Sequence, residues 1–228
     1  MTVSNTSLEV LYEDNHIIVI NKKAGDIVQG DKTGDAPLSD AVKAYIKKKY
    51  NKPGDVFLGT VHRLDRPTSG IVLYARTSKA LTRMNKMFKE KDIKKTYWAI
   101  TENAPKPEAG KLVNYLKKNE KQNKSYISDE SGKKAELDFK LLDASDNYFL
   151  VEVTPLTGRH HQIRVQLSNI GAVIKGDLKY GAKRSNKDAS ISLHARRLEF
   201  MHPVKKESLV IVAPTPKDPV WEFFEARN

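Results

Sequence analysis

Short apolar runs of strand length, separated by turn residues, recur along most of this chain and restrict it to a sheet-based fold. Residues 8–12 alternate as a half-buried strand, Glu13-Asp14-Asn15 turns, and residues 16–20 read as a second, more buried strand, which predicts a hairpin. Further strands are expected at 71–75, 96–100, 135–142, 148–153, 192–195 and 209–212, with 135–153 forming an antiparallel meander. Helical spacing is confined to a few stretches. Leu38, Ala41, Val42, Tyr45 and Ile46 share one face of a helix whose lysines 43 and 47–49 lie largely elsewhere. Ser78 is a plausible cap for a second helix with Ala80, Leu81, Met84, Met87 and Phe88 in the core. Ile163, Leu167 and Ile170 define a third, with Gly171 as its C-terminal cap, and 220–224 a short closing helix. Strands with a few segregated helices give an α+β domain on a mixed or antiparallel sheet. Residues 103–110 read as a connector, and the polar, lysine-rich 117–134 as a mobile hairpin tip.

Composition narrows the chemistry. The 228 residues contain no cysteine, which removes thiol nucleophiles, disulfides, iron–sulfur clusters and thiolate zinc sites, including those of the zinc-dependent base deaminases. The six histidines lack the paired spacing with a glutamate that zinc hydrolases use. His160 and His161 are adjacent and therefore diverge on a helix, which argues against a metal there. Forty Lys and Arg against 28 Asp and Glu leave a formal net charge of +12, suited to a phosphate-rich partner. An anionic membrane surface would attract the same charge, but no long apolar span, lipidation signal or secretory leader appears, so a cytoplasmic protein is expected.

Two basic stretches deserve separate readings. Lys22-Lys23-Ala24-Gly25 could bind phosphate, and the local expectation is a solvated strand exit. Lys79, Arg83, Lys86 and Lys89 run into Lys91, Lys94 and Lys95 just before Tyr97 and Trp98, an arrangement that suits neutralisation of a nucleic-acid backbone plus base stacking. In residues 61–70 a single carboxylate, Asp65, stands between Arg63 and Arg66, followed by Pro67 and Gly70. Proline fixes its own φ and disfavours helix for Arg66, so the segment is a tight, rigid loop before the 71–75 strand. A catalytic acid requires such support, and an ordinary salt-bridged turn would look the same.

Taken together, these stretches resemble the RNA pseudouridine synthases of the RluA/RsuA type. His62-Arg63-Leu64-Asp65 with Thr68-Ser69-Gly70 is similar to the family's catalytic loop, Lys95-Thr96-Tyr97 to its tyrosine motif, and Gly158 to Val165 to its arginine motif. Gly176-Asp177, Tyr180-Gly181 and Leu193-His194-Ala195 follow in the family's order, so the resemblance spans nearly the whole chain. It implies one catalytic domain over residues 1–228, with a mixed, mostly antiparallel sheet and a central cleft. It also implies that Asp65 carries the chemistry, that Tyr97 stacks on the target base and that Arg164 pairs with Asp65. Arg63 would help displace the extruded nucleotide, Leu193 would line the base pocket, and His62, Arg66, Lys95 and Arg159 are expected to contact RNA. Three departures stand out. Lys23 replaces a common proline, Gln166 replaces a common histidine, and no room exists before Leu8 for the S4-type RNA-binding domain of many relatives. The catalytic domain and its basic helices would then supply most RNA affinity.

The expected reaction converts uridine to pseudouridine in structured RNA, ribosomal first and transfer RNA second. The N1–C1′ bond breaks, the uracil turns, and C5 joins C1′. There is no redox change, so no metal, nucleotide or other cofactor is called for, and a monomer is expected. The residue types leave open whether Asp65 attacks C6, attacks C1′ or removes a C2′ proton. Two rivals remain on residues alone. A non-catalytic RNA-binding or ribosome-assembly factor would use the same basic cleft but gives no reason for a carboxylate at its centre. A glycoside hydrolase would need two carboxylates across the scissile bond, and the motifs supply one.

Overall fold

The computed structural model describes residues 8–30 and 34–228. The expectation that no S4-type domain precedes Leu8 concerns residues 1–7, which lie outside the described residues. The N-terminal hairpin is β1 (Val10–Glu13) with β2 (Ile17–Lys22), whose turn is fixed by Asp14: its carboxylate accepts from the backbone N–H groups of His16 and Ile17. Helix α1 (Leu38–Lys49) turns Leu38, Val42 and Ile46 inward as its spacing predicts, while Tyr45 is half-buried and Ala41 of the same predicted face is exposed. After the short β3 (Gly59–Thr60) and the 61–68 loop, β4 (Ser69–Ala75) is buried along its whole length. That explains its unbroken apolar sequence, since both faces are covered. Helix α2 (Ser78–Glu90) buries Ala80 and Met84, and its cap is Thr77 rather than Ser78. The Thr77 hydroxyl accepts from the Ala80 N–H at 3.1 Å, so Ser78 is already the first helical residue.

The middle of the chain is the expected meander, with one correction. Strands β5 (Lys94–Thr101), β6 (Ala109–Asn119), β7 (Lys124–Ser128), β8 (Lys133–Ala144) and β9 (Phe149–Pro155) are all antiparallel to their neighbours. Residues 117–134 are therefore not a loose tip. They contain the end of β6, all of β7 and the start of β8, and polar side chains are tolerated because β7 is an edge strand. Helix α3 (Gln162–Asn169) and a 3-10 turn (Leu178–Tyr180) precede β10 (Leu193–Met201), β11 (Ser208–Val212) and α4 (Pro219–Glu225). Trp221 and Phe224 of α4 bury against Trp98, Ile100 and Leu150, the core-covering role expected of the closing helix.

The main path of the sheet runs β1-β2-β4-β10-β5-β9-β8-β6-β7. It is the mixed, mostly antiparallel sheet anticipated, with a single parallel pairing among the described residues. In that pairing His194 and Ala195 of β10 lie beside Ser69 and Gly70 of β4. Gly70 sits at φ +109°, where a Cβ would collide with the Ala195 backbone. The glycine that ends the carboxylate loop thus permits the close approach of two strands. The interior of this continuous sheet domain holds more than one apolar cluster. One apolar cluster lies around β2, β4, α1 and α2, and another around β8, β9 and α3.

Candidate active site

Asp65 projects from a turn closed by the Thr68 N–H bonding to its own carbonyl at 3.0 Å. The strongest support for this turn is Lys22, at the end of β2. Its side chain is almost fully buried, and Nζ donates to the carbonyls of Lys23, Arg66 and Thr68 at 2.9, 3.1 and 2.8 Å. The Gly25 N–H reaches the Arg66 carbonyl as well, at 2.8 Å. Lys22 is therefore neither the solvated strand exit expected nor a phosphate ligand; it ties the 66–68 backbone to β2. Burial pushes its ammonium down to about 8, against the pull of Asp26 and Asp65.

The facing wall is α3 and what holds it. His161 caps the helix in the left-handed conformation, at φ 53°. One turn later Arg164 is buried, with all three guanidinium nitrogens used. Nε and one terminal nitrogen grip both oxygens of Asp177 at 2.7 and 2.8 Å, and the other terminal nitrogen reaches Asp65 Oδ2 at 3.1 Å. Asp177 is itself buried, so it fixes the direction in which Arg164 presents its third nitrogen. Despite burial, the two carboxylates hold the Arg164 guanidinium above its ordinary value, Asp177 more than Asp65. Its Cζ lies 5.1 Å from the Tyr180 ring centre. The Tyr180 hydroxyl meets His161 Nδ1 at 2.9 Å and both the N–H and the carbonyl of Ser125 in β7. His161 Nε2 lies 3.6 Å from Asp65 Oδ2, and burial, reinforced by Arg164, keeps the imidazole neutral.

Asp65, Tyr97, Arg164 and Leu193 line one cavity of about 130 Å³, which opens into a cleft of about 850 Å³. The Asp65 side chain is 31% exposed, enough to meet a ligand while its partner arginine is 5% exposed. Tyr97 is part-buried on β5 beside Ala195, and burial, with the Asp65 charge second, keeps its phenol protonated. Leu193 is buried at the start of β10. Arg63 is exposed on the rim, and Lys95 and Arg159 line both the inner cavity and the wider cleft. Arg159 is anchored by Nε on the Lys134 carbonyl at 2.8 Å. Arg66 turns outward to Asp35 at 2.7 Å, with both side chains half exposed. His62 borders the wide cleft but is committed to the fold. Its Nε2 accepts from the Leu73 N–H at 3.1 Å and its ring stacks on Phe88, while burial and then Lys95 push it down to about 4. Of the nine residues expected at the site, all border this cleft or its inner cavity. Sequence reasoning missed the roles of Lys22, Asp177 and Tyr180. The last two stood in the quoted motifs without an assigned partner.

Among the described residues no three His, Asp or Glu side chains group as metal ligands, and no helix is long and apolar enough to cross a membrane. A family model described as RNA pseudouridylate synthase matches residues 16–169. The chain belongs to that family. Among its relatives is the ribosomal large subunit pseudouridine synthase C of Vibrio parahaemolyticus, 35% identical over 212 residues, or 90% of this chain and 65% of the relative. The protein of the same name from Vibrio cholerae matches with the same identity and coverage. An uncharacterized RNA pseudouridine synthase of Bacillus subtilis is 32% identical over 92% of this chain and 70% of its own length. The chain thus spans just under two thirds of the length of the first two relatives. Among solved structures, human RNA pseudouridylate synthase domain containing 4 superposes with a TM-score of 0.78 at 25% identity, covering 96% of this chain and 93% of that one.

Proposed function

We propose that this chain isomerises particular uridines to pseudouridine in structured RNA in the cytoplasm, with ribosomal RNA as the first substrate class and transfer RNA the second. The observation that carries the reading is the buried Asp177–Arg164 pair presenting the remaining guanidinium nitrogen to a part-exposed Asp65 inside a cavity that Tyr97 and Leu193 also line. A reaction that breaks N1–C1′ and makes C5–C1′ must hold the detached uracil while it turns, then release the C5 proton and return one to N1. Asp65 supplies the carboxylate such a sequence needs, and Arg164 fixes its direction. The flat ring of Tyr97 and the buried Leu193 give the base an apolar seat. Extruding a base from folded RNA costs a few kcal/mol, which stacking on Tyr97 and the cationic rim of Arg63, Lys95 and Arg159 would offset. The names of the Vibrio relatives favour ribosomal RNA over transfer RNA.

The test is direct. Incubating the protein with ribosomal and transfer RNA transcripts and mapping pseudouridine by carbodiimide-dependent reverse-transcription stops should reveal modified positions. Asp65→Asn should bind the same RNA and form no pseudouridine. Full activity in that variant would remove Asp65 from the chemistry. RNA binding by the unaltered protein with no isomerisation on any cellular RNA would favour the non-catalytic RNA-binding factor instead.

A further inference from the structure

Past the inner cavity the cleft has a second compartment, of about 320 Å³, between the C-terminal end of α2 and the connection from β9 to α3. It shares Lys95, Pro155, Thr157, Gly158 and Arg159 with the cavity that holds Asp65, so the two adjoin. Phe88, Ile93, Pro155 and Leu156 give it an apolar floor, while Lys89, Lys91, Lys94, Lys95 and Arg159 surround it.

Its lining is strongly net positive. Among the described residues no carboxylate lines the compartment, and Lys89, Lys91 and Lys95 have no ion-pair partner. Lys94 alone of its lysines is paired, with Glu199 at 3.3 Å. Of the carboxylates close by, Glu90 pairs with Lys86 at 3.8 Å and Glu136 with Lys134 at 2.9 Å while also feeling the Lys91 charge, and Asp92, next to Lys91 in sequence, does not line the compartment. Burial and then the Lys91 charge push the Lys95 ammonium below its ordinary value, as expected of a cation with a like neighbour and no anion. Cations converging from a helix end, a strand and a loop over an apolar floor form a seat for an anion of low hydration cost. The Asp65 cavity is much smaller than the cleft around it, so a strand that places one base inside must leave along the surrounding surface, and this compartment adjoins it directly.

We propose that the compartment holds a backbone phosphate of a nucleotide adjoining the target uridine in the same RNA strand. This rests on the pseudouridine synthase reading above. Lys89 and Lys91 carry the proposal's test, because neither lines the inner cavity.

Binding of a short fluorescein-labelled oligouridylate is measured by anisotropy from about 50 to about 200 mM KCl. For single strands each phosphate contact adds about 0.7 to the steepness of log K against log salt, so Lys89→Gln/Lys91→Gln should lower it by roughly 0.7 or more. The charge-matched control Lys140→Gln/Lys217→Gln, on exposed lysines outside the cleft, should leave the slope unchanged. Circular dichroism melts confirm that both double variants fold. A wild-type slope in Lys89→Gln/Lys91→Gln, or an equal loss in the control, overturns the proposal whether or not the protein isomerises uridine. A reduced slope in a protein that never forms pseudouridine would keep the phosphate seat and overturn the catalytic reading.

Discussion

Arg164 has no spare nitrogen: two serve Asp177 and one serves Asp65, so the position of the proposed catalytic carboxylate is set by a second, buried carboxylate. Lys22 acts from the other side, through backbone rather than charge. Lys22→Met keeps the side chain's bulk but leaves three carbonyls without their shared donor, at a cost of about 1–3 kcal/mol at neutral pH, and should lower the isomerisation rate more than RNA affinity. It should also change the pH dependence. The folded-state value near 8 lies below the unfolded one, so the unfolded chain holds more protons between them and wild-type stability rises from about pH 8 to about pH 10. Urea melts at pH 7 and near pH 10 should show that rise in the wild type and a smaller one in Lys22→Met, where the depressed Lys95 ammonium still contributes. Asp65, Tyr97 and Arg164 were legible because each sits in a short motif. Lys22 was not, because its acceptors at Arg66 and Thr68 are remote in sequence and a lysine pair before a glycine reads locally as solvated.

At the scale of elements, α3 is short and starts from a left-handed residue, yet it presents Arg164 accurately because the 3-10 turn and β7 brace it. Asp177 precedes that turn, and Tyr180 at its end bonds the backbone of Ser125. Asp177→Ala would leave a buried guanidinium facing only Asp65. The expected loss is about 3–5 kcal/mol in urea unfolding, together with most activity, and a variant of unchanged stability would show that the pair does not hold the wall. The polar stretch 117–134 was misread for a related reason. Its apolar period is weak because β7 lies at the sheet edge, and the bonds that order it come from Tyr180, outside any local window. The strands at 71–75, 96–100 and 148–153 were readable because burial on the sheet leaves an apolar or alternating pattern in a few consecutive residues.

Over the whole molecule, the two halves of the sheet meet where β10 runs beside β4, and the buried His194 marks the seam. Its Nδ1 lies 2.8 Å from the Ser69 hydroxyl, and burial pushes the ring down to about 4. Because that value lies below the unfolded one near 6.5, the stability is fully present above about pH 6.5 and is lost as pH falls toward 4, by up to about 3 kcal/mol. Thermal melts across that range should show the fall, and His194→Gln should make it shallower, the buried neutral His62 and His161 keeping the remainder. Strand β10 came from the far end of the chain, and its order between β4 and β5 could not be read from periodicity, which is local. The order has a consequence for dissecting the gene. A chain cut after Asn169 would keep Asp65, Tyr97 and Arg164 but would lack the strand that separates β4 from β5, exposing two apolar strand edges. Such a fragment, expressed alone, should collect in the insoluble fraction, and supplying residues 170–228 as a separate polypeptide during refolding should return it to solution.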